Sequence, residues 1–172
     1  KDKDFTLTAD VTVKAKPASS GAGLYVGAFT DIDKSTANLY AVGFRGANSG
    51  ICDLVYYRNK ANGSYSGGKY NSVVNAYTND TVYSVTVTRK SGKYTTEVKT
   101  ADGKVNFKSS EEEPSKALMG DVNVGFAVIG TTAVVNNLKV VSGSDTLFDA
   151  STLTGTYSPF SDNWDAYEGV SV

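Results

Sequence analysis

Few arrangements of residues in this sequence indicate acid–base chemistry. The one dense carboxylate cluster, Glu111-Glu112-Glu113, stands in a polar segment just before Pro114. Adjacent like charges in such a segment are typical of a solvated loop rather than of an acid–base pair. The chain contains no histidine, so neither a Ser-His-Asp triad nor a Cys-His pair can be built. The sequence therefore predicts a protein that is not an enzyme.

The single cysteine, Cys52, stands beside Ile51 and close to Leu54 in an apolar run. Because no histidine can act as its base, we interpret Cys52 as a small buried hydrophobic residue rather than as a nucleophile. One cysteine also excludes an internal disulfide and any zinc or iron–sulfur site that needs several thiolates.

A hard-cation site is a second chemical candidate. The stretch from Asp31 to Asn38 spaces oxygen-bearing side chains within one loop, and calcium takes oxygen ligands. The candidate ligands of a structural calcium ion are Asp31, Asp33 and Asn38. The stretch lacks the glycine and the distal bidentate glutamate of an EF-hand loop. Asp and Asn are also common in turns because they bond their own backbone, so both interpretations stay open.

Sugar recognition is a third candidate. It requires flat aromatic rings that stack on sugars and planar polar side chains that bind pairs of hydroxyl groups. The chain offers both kinds of residue. The candidate ligand-binding residues are Arg45, Asp53, Tyr57, Arg58, Tyr65, Tyr70 and Trp164. Each tyrosine also has a structural interpretation, because many of the 11 tyrosines will be packing partners across strands.

The aromatic candidates stand in polar surroundings. Trp164 is the only tryptophan and lies in a polar tail, whereas a core tryptophan usually stands in an apolar run. Tyr65 and Tyr70 belong to a long glycine-rich connection that contains an Asn-Gly turn signal and at most one short strand. Loops of this kind often carry functional residues.

The remaining candidates belong to predicted strands. Asp53 and Tyr57 share one face of a strand because side chains alternate with a period of two. Arg45 and Arg58 end neighbouring strands. We expect their guanidinium groups near the same edge of the sheet, where they would supply forked donors to a sugar.

Strands must position these candidates, because the apolar residues recur with a period of two. From Phe5 to Val13 every second residue is apolar and most residues between are polar, which is typical of a half-buried strand. A hairpin is predicted around Ser91-Gly92, and a further strand follows Asp102-Gly103.

About ten short strands with almost no helix predict an all-β fold, a jelly-roll sandwich of two antiparallel sheets. The only helical signal covers Ser109–Gly120. Pro114 and the shortness of this stretch favour a loop that crosses between the sheets.

Composition excludes several function classes. With 172 residues the chain can bury one core and is too short for two ordinary domains. Its formal net charge of -1 provides no positive field that would attract nucleic acid. No apolar run approaches the roughly 18 residues of a membrane span, so no membrane insertion is expected.

The cellular location follows from residue usage. A chain poor in cysteine and rich in Thr, Ser, Asn, Tyr and Gly is typical of an exported bacterial protein. We therefore expect a secreted or cell-surface protein. The first residues do not form a signal peptide, so we expect that such a peptide is removed or lies upstream of a domain excised from a longer protein.

Two stretches resemble a known family. YSVTVTRKSGKYTTEV is similar to the central hairpin of concanavalin-A-like and laminin-G-like domains, and GFAVIGTTAVVNNLKV is similar to their last two strands. Within this superfamily the chain most resembles the modules appended to bacterial levanases and pectate lyases. The resemblance implies a jelly roll that binds sugar and does not cleave it.

The tail adds an expectation about domain organisation. The stretch 144–172 resembles the segment that such modules place before their first long strand, with a Phe-Asp phrase at Phe148-Asp149. Here it comes last. We expect one module over residues 1–172, in which residues 144–172 close the sandwich in place of the usual N-terminal strand. That the tail belongs to a following repeat stays open.

The resemblance implies a non-catalytic carbohydrate-binding module that tethers an exported enzyme or surface protein to a polysaccharide or oligosaccharide. Other domains of the same polypeptide would be its further partners. The alternative is an adhesion or structural repeat of a Gram-positive surface protein that binds a host or protein ligand. A glycosidase or lyase of this fold is a third possibility, but the E-x-D-x-E strand motif of the glucanase members is absent.

Overall fold

The structure is a computed structural model that describes residues 3–15, 17, 22–30, 36–46, 51–59, 65–67, 76–109, 118–157 and 166–171. Within these ranges, only the backbone is described at 36–37, 51, 53–59, 65–67, 151–157 and 166–171. None of these residues belongs to a helix of the length and apolarity that crossing a membrane requires.

The described residues form two six-stranded antiparallel sheets. From one edge to the other, sheet A consists of β11 (Asp145–Tyr157), β10 (Ala133–Ser142), β1 (Phe5–Val13), β6 (Tyr83–Lys90), β7 (Lys93–Thr100) and β8 (Val105–Lys108). In the same way, sheet B consists of β12 (Ala166–Ser171), β9 (Asn123–Ile129), β2 (Gly23–Phe29), β3 (Thr36–Arg45), β4 (Ile51–Asn59) and β5 (Tyr65–Gly67). No α-helix occurs in this part of the chain, and the predicted jelly-roll sandwich is confirmed.

The core lies between the two sheets, where the period of two places it. In β1 the side chains of Phe5, Leu7 and Ala9 are buried, while Thr8 between them is exposed. Alternate residues of β6 and β7 join the same cluster, together with one face of β2, β3 and β9. Each fully buried leucine or phenylalanine contributes about 1.5–3 kcal/mol by leaving water. The apolar residues that alternate in the sequence are thus the residues that form this core.

The predicted hairpin joins β6 to β7 through two residues. Ser91 and Gly92 have φ angles of 51° and 76°, the left-handed pair of a type I′ turn that matches the twist of the flanking strands. Gly103, at φ 81°, closes the next turn by donating its backbone N–H to the carbonyl of Thr100. Both turns lie at the glycine-containing pairs, Ser91-Gly92 and Asp102-Gly103, that the sequence indicated.

A buried arginine fastens one end of the sandwich. Arg89 is only 1% exposed. Its Nε donates to the Lys3 carbonyl at 2.8 Å, and its Nη1 donates to the Gly120 carbonyl at 2.8 Å. Its guanidinium carbon lies 5.1 Å from the centre of the Phe5 ring. Because backbone carbonyls satisfy its donors, the charge is tolerated in the interior and ties three chain segments together.

The C-terminal stretch supplies one edge strand to each sheet. β11 pairs with β10, and β12 pairs with β9. Leu147, Phe148 and Ala150 of β11 are partly buried against the core. The polar tail therefore forms regular structure on both sheets.

Candidate functional site

The centre of sheet B is buried on both faces. Leu24, Val26 and Ala28 of β2 belong to the core between the sheets. Residues of the opposite face form a second apolar cluster with 0–6% exposure, composed of Tyr25, Phe29, Leu39, Ala41, Ala127 and Ile129. We call the face that carries this cluster the outer face of sheet B. At its centre it is closed to solvent, so it does not offer an open groove.

Two glycines shape this outer face. A Cβ atom on Gly23 would lie 2.8 Å from the Cβ of Arg45, and one on Gly27 would lie 2.7 Å from the Cα of Ala41. Strands β2 and β3 therefore approach too closely for any side chain there.

The sequence did not predict that Tyr25 and its neighbours are buried on the outer face of sheet B. In the phrase Gly23-Leu24-Tyr25-Val26-Gly27 the alternation of glycine with an aromatic residue is the signal that would have indicated them. Glycine inside a strand marks a close backbone approach, and the residue between two such glycines shares their face.

Arg45 is one of the predicted ligand-binding residues, and it is only 4% exposed. It ends β3, where it is paired with Gly23 of β2 and Ile51 of β4. Arg58 is paired instead with Ala37, eight residues away along β3. At about 3.3 Å per residue the two positions are roughly 26 Å apart.

The expectation that Arg45 and Arg58 lie near the same edge is therefore wrong. Both residues stand near the carboxyl ends of their strands. In an antiparallel pair the carboxyl ends of neighbours lie at opposite ends of the sheet. Two such arginines cannot form one forked set of donors.

Four candidates do come together in the backbone register. Tyr57 is paired with Asn38 of β3 and with Ser66 of β5. Arg58 is paired with Tyr65 of β5. We call Asn38, Tyr57, Arg58 and Tyr65 the β4–β5 edge. Asp53 lies on the same strand but nearer its other end, opposite Gly43.

The β4–β5 edge joins candidates that the sequence assigned to two kinds of site. Asn38 was a candidate calcium ligand, whereas the other three residues were candidate sugar ligands. The Asn38 carbonyl accepts a hydrogen bond of 2.9 Å from the backbone N–H of Thr30, which holds the start of β3 against the end of β2. The Asn38 side chain is half-buried.

Several predicted residues lie outside the described part of the chain. Tyr70 and Trp164 of the sugar set and Asp31 and Asp33 of the calcium set are among them, as is the glutamate cluster 111–113. Within the described side chains, no group of three acidic, cysteine or histidine residues could hold a metal ion.

Cys52 is buried, as its apolar surroundings predicted. It belongs to the core cluster together with Tyr77 and Tyr83. Burial, followed by the influence of Cys52 and Tyr83, raises the pKa of the Tyr77 hydroxyl to about 12. A tyrosine with so high a pKa stays neutral at physiological pH, which agrees with a structural role for this group.

Comparison with known proteins shows similarity in structure only. No protein-family model matches the sequence, and no curated protein sequence matches it significantly. The carbohydrate-binding module CBM66 from Bacillus subtilis has a TM-score of 0.54 and 18% identity, covering 81% of this chain and 76% of that chain. At this identity the likeness shows the fold alone.

Two further solved structures are less similar. The enzymatically active domain of tailspike protein 2 of bacteriophage CBA120 has a TM-score of 0.49 and 10% identity, covering 83% of this chain and 22% of that chain. The alginate lyase from Klebsiella pneumoniae has a TM-score of 0.46 and 12% identity, covering 82% of this chain and 60% of that chain.

Proposed function

We propose that this chain is a non-catalytic carbohydrate-binding module of the concanavalin-A-like kind. It tethers an exported bacterial enzyme or surface protein to a polysaccharide, which raises the local concentration of glycan for the other domains of the polypeptide. The jelly-roll sandwich that it shares with the CBM66 module supports this proposal. A shared fold hosts many functions, and function resides in the residues of a site.

The observation that carries the proposal is the register of the β4–β5 edge. Arg58 stands directly opposite Tyr65, and cross-strand partners share one face of a sheet. Aromatic rings and a forked guanidinium are the combination that binds sugar faces and hydroxyl pairs. The closed centre of the outer face of sheet B also favours the edge as the place where a glycan binds.

The glycan class is tested by affinity gel electrophoresis against fructans, pectins, xylans and β-glucans, followed by calorimetry with any that retard the protein. We expect at least one to bind. Tyr65→Ala and Arg58→Ala should each weaken binding by roughly tenfold, which is about 1.4 kcal/mol. Thr86→Ala on sheet A is the matched control and should leave binding unchanged. No retardation by any glycan, or equal weakening by the control, would contradict the proposal.

The absence of catalysis is tested on the same glycans. The protein is incubated with each of them, and new reducing ends and unsaturated products are measured. We expect neither to exceed the value for buffer alone. Release that scales with protein concentration would identify an enzyme of this fold and overturn the non-catalytic role.

A further inference from the structure

The outer face of sheet A, which points away from sheet B, carries a shallow depression at the β6–β7 hairpin. Its volume is about 360 Å³, and the described residues that line it are Thr88, Lys90, Ser91, Lys93 and Thr95. We call it the hairpin depression. Its volume falls at the lower end of the roughly 300–1,000 Å³ of small-molecule sites.

Two positive charges border the hairpin depression. Lys90 and Lys93 are register partners that close the two-residue turn, and both side chains are exposed. Cross-strand partners share one face, where like charges directly opposite each other destabilise the pair. No ion pair among the described side chains involves Lys90. An anion between two adjacent ammonium groups is attracted by both of them.

The rest of the lining fits a sugar ring. Thr88 and Thr95 are register partners in the adjoining row, and they present hydroxyl groups together with methyl groups. The stems of Lys90 and Lys93 add apolar surface beneath their charged heads. The hairpin depression therefore combines charge, hydroxyl donors and apolar contact, which a ring that bears an acidic group requires.

The row of hydroxyl groups continues across the sheet. Thr88 is paired with Thr95 on one side and with Thr6 of β1 on the other. Neighbouring strands are about 4.8 Å apart, so the three residues form a polar track that leads out of the hairpin depression. A polymer has room to extend along this track, and this favours a polysaccharide over a single small anion.

Two carboxylates near the hairpin depression are already engaged. Glu97 forms ion pairs with Lys99 at 2.7 Å and Lys108 at 3.5 Å. Asp4 accepts a hydrogen bond of 2.7 Å from the backbone N–H of Ser91. Of Asp4 and Glu97, only Asp4 places its negative charge at the β6–β7 turn.

We propose that the hairpin depression binds the acidic group of an anionic polysaccharide, either the carboxylate of a uronate unit or a sulfate ester. The ammonium groups of Lys90 and Lys93 hold the anion, while the hydroxyl groups of Thr88 and Thr95 bind the adjoining sugar. This site lies on sheet A and is independent of the sugar site proposed at the β4–β5 edge of sheet B.

The test is affinity gel electrophoresis in polygalacturonate, with fully methyl-esterified pectin as the neutral counterpart. We expect polygalacturonate to retard the protein more strongly, and to do so less as ionic strength rises. The double substitution Lys90→Gln and Lys93→Gln should weaken this binding by at least roughly tenfold, the effect of losing one charge-assisted hydrogen bond. Lys104→Gln, in the turn that follows β7, removes one positive charge where the double substitution removes two, and it should leave binding within about twofold of wild type.

Two further arms identify the ligand. Asp4→Asn should strengthen polygalacturonate binding, because it removes a negative charge beside the site. Dextran sulfate that binds in place of polygalacturonate, with the same dependence on Lys90 and Lys93, supports the site and assigns a sulfate ester.

Three results would overturn the proposal. They are equal weakening by Lys104→Gln, equal retardation in the esterified pectin, and duplex DNA that binds as tightly through the same lysines. Arg58→Ala and Tyr65→Ala should leave polygalacturonate binding at Lys90 and Lys93 unchanged. Failure at one site can therefore be told from failure at the other.

Discussion

Tyr77 shows how a single polar atom in this core responds to pH. Its side chain is only 6% exposed, and its ring meets Phe44 edge-on with centroids 5.6 Å apart. Among the described residues its hydroxyl has no hydrogen-bond partner. Leaving such a group unpaired costs stability, so Tyr77→Phe should be neutral or slightly stabilising near pH 7.

At alkaline pH the effect of Tyr77 becomes measurable. The pKa of its hydroxyl is about 12 in the folded protein, against an ordinary value of 10.0. Above pH 10 the unfolded chain ionises this hydroxyl while the folded chain keeps it neutral. Below pH 10 this hydroxyl is neutral in both states and does not change stability with pH, whereas between pH 10 and 12 its ionisation in the unfolded chain lowers the stability of the fold.

The predicted result is a divergence between wild type and Tyr77→Phe. Urea unfolding from about pH 8 to about pH 11.5 should show wild type losing about 1–2 kcal/mol more than the variant. All other titrating groups are common to wild type and the variant, so any difference between their pH profiles comes from the Tyr77 hydroxyl. Parallel pH profiles would show that Tyr77 titrates normally.

Within the described part of the chain, the two carboxyl groups with shifted pKa values are not suited to general-acid catalysis. The hydrogen bond from Lys99 lowers the pKa of Glu97, and the hydrogen bond from Thr100 lowers the pKa of Asp102. A general acid at neutral pH needs the opposite shift. Both groups belong to the exterior of β7 and its following turn, where they stabilise local structure.

At the scale of the element, β2 is the strand that fixes how sheet B is built. A Cβ on Gly27 would collide with the Tyr40 carbonyl oxygen and would lie 2.7 Å from the Cα of Ala41. Backbone atoms cannot swing aside as a flexible side chain can. Gly27→Ala should therefore force β2 and β3 apart and cost at least about 3 kcal/mol in the free energy of unfolding.

Gly103→Ala is the matched control for Gly27→Ala. Gly103 has a φ angle of 81° and nothing within 4 Å of a Cβ, so this variant measures backbone strain alone, about 1 kcal/mol. Urea unfolding of both variants gives the comparison. A Gly27→Ala chain that does not fold agrees with the prediction, whereas one that loses no more than Gly103→Ala would contradict it.

Local sequence patterns predicted the strands well. A strand with one buried face can be identified from the alternation of apolar and polar residues in its own sequence. The alternation of β1 and the turn at Ser91-Gly92 are of this kind. The pairing partners of Arg45 and Arg58 depend instead on the direction of neighbouring strands. Sequence spacing could name candidate residues of β4 and β5, but only the register shows which of them stand opposite one another.

The double burial of β2 is the other feature that alternation could not reveal. All seven residues from Gly23 to Phe29 are buried, although the outer face of sheet B would be wet in a simple two-layer sandwich. Burial of that face is a property of the whole chain, since no strand can cover its own second face.

At the scale of the whole molecule, the two proposed sites lie on different sheets of the sandwich. Sheet B offers the aromatic and arginine residues of the β4–β5 edge, whereas sheet A offers lysine and threonine at the hairpin depression. A module with both would hold two parts of one glycan or two glycans. Binding at two sites on one rigid body strengthens overall attachment without any new contact.

This arrangement depends on both sheets being complete within one module, so the place of the C-terminal stretch matters. We propose that residues 144–172 close this module rather than begin a following repeat. The pairing of β11 with β10 and of β12 with β9 supports this reading. Without them, β10 and β9 would become edge strands with unpaired backbone groups.

Two adjacent residues of β11 provide the test. Phe148 is partly buried against the core, whereas Asp149 is exposed and its carboxylate lies 3.1 Å from the Lys139 ammonium. If the tail closes the module, Phe148→Ala removes apolar contact from the core and should lower the free energy of unfolding by about 2 kcal/mol. Asp149→Ala breaks only a surface ion pair and should cost less than about 0.5 kcal/mol.

Urea unfolding of the two variants beside wild type distinguishes the two domain boundaries. A closing segment unfolds with the rest of the module, so Phe148→Ala should shift one cooperative transition to lower urea with an unchanged slope. A segment that belongs to a following repeat would leave the main transition where it is. Equal effects of Phe148→Ala and Asp149→Ala would therefore move the boundary of this module to the end of β10.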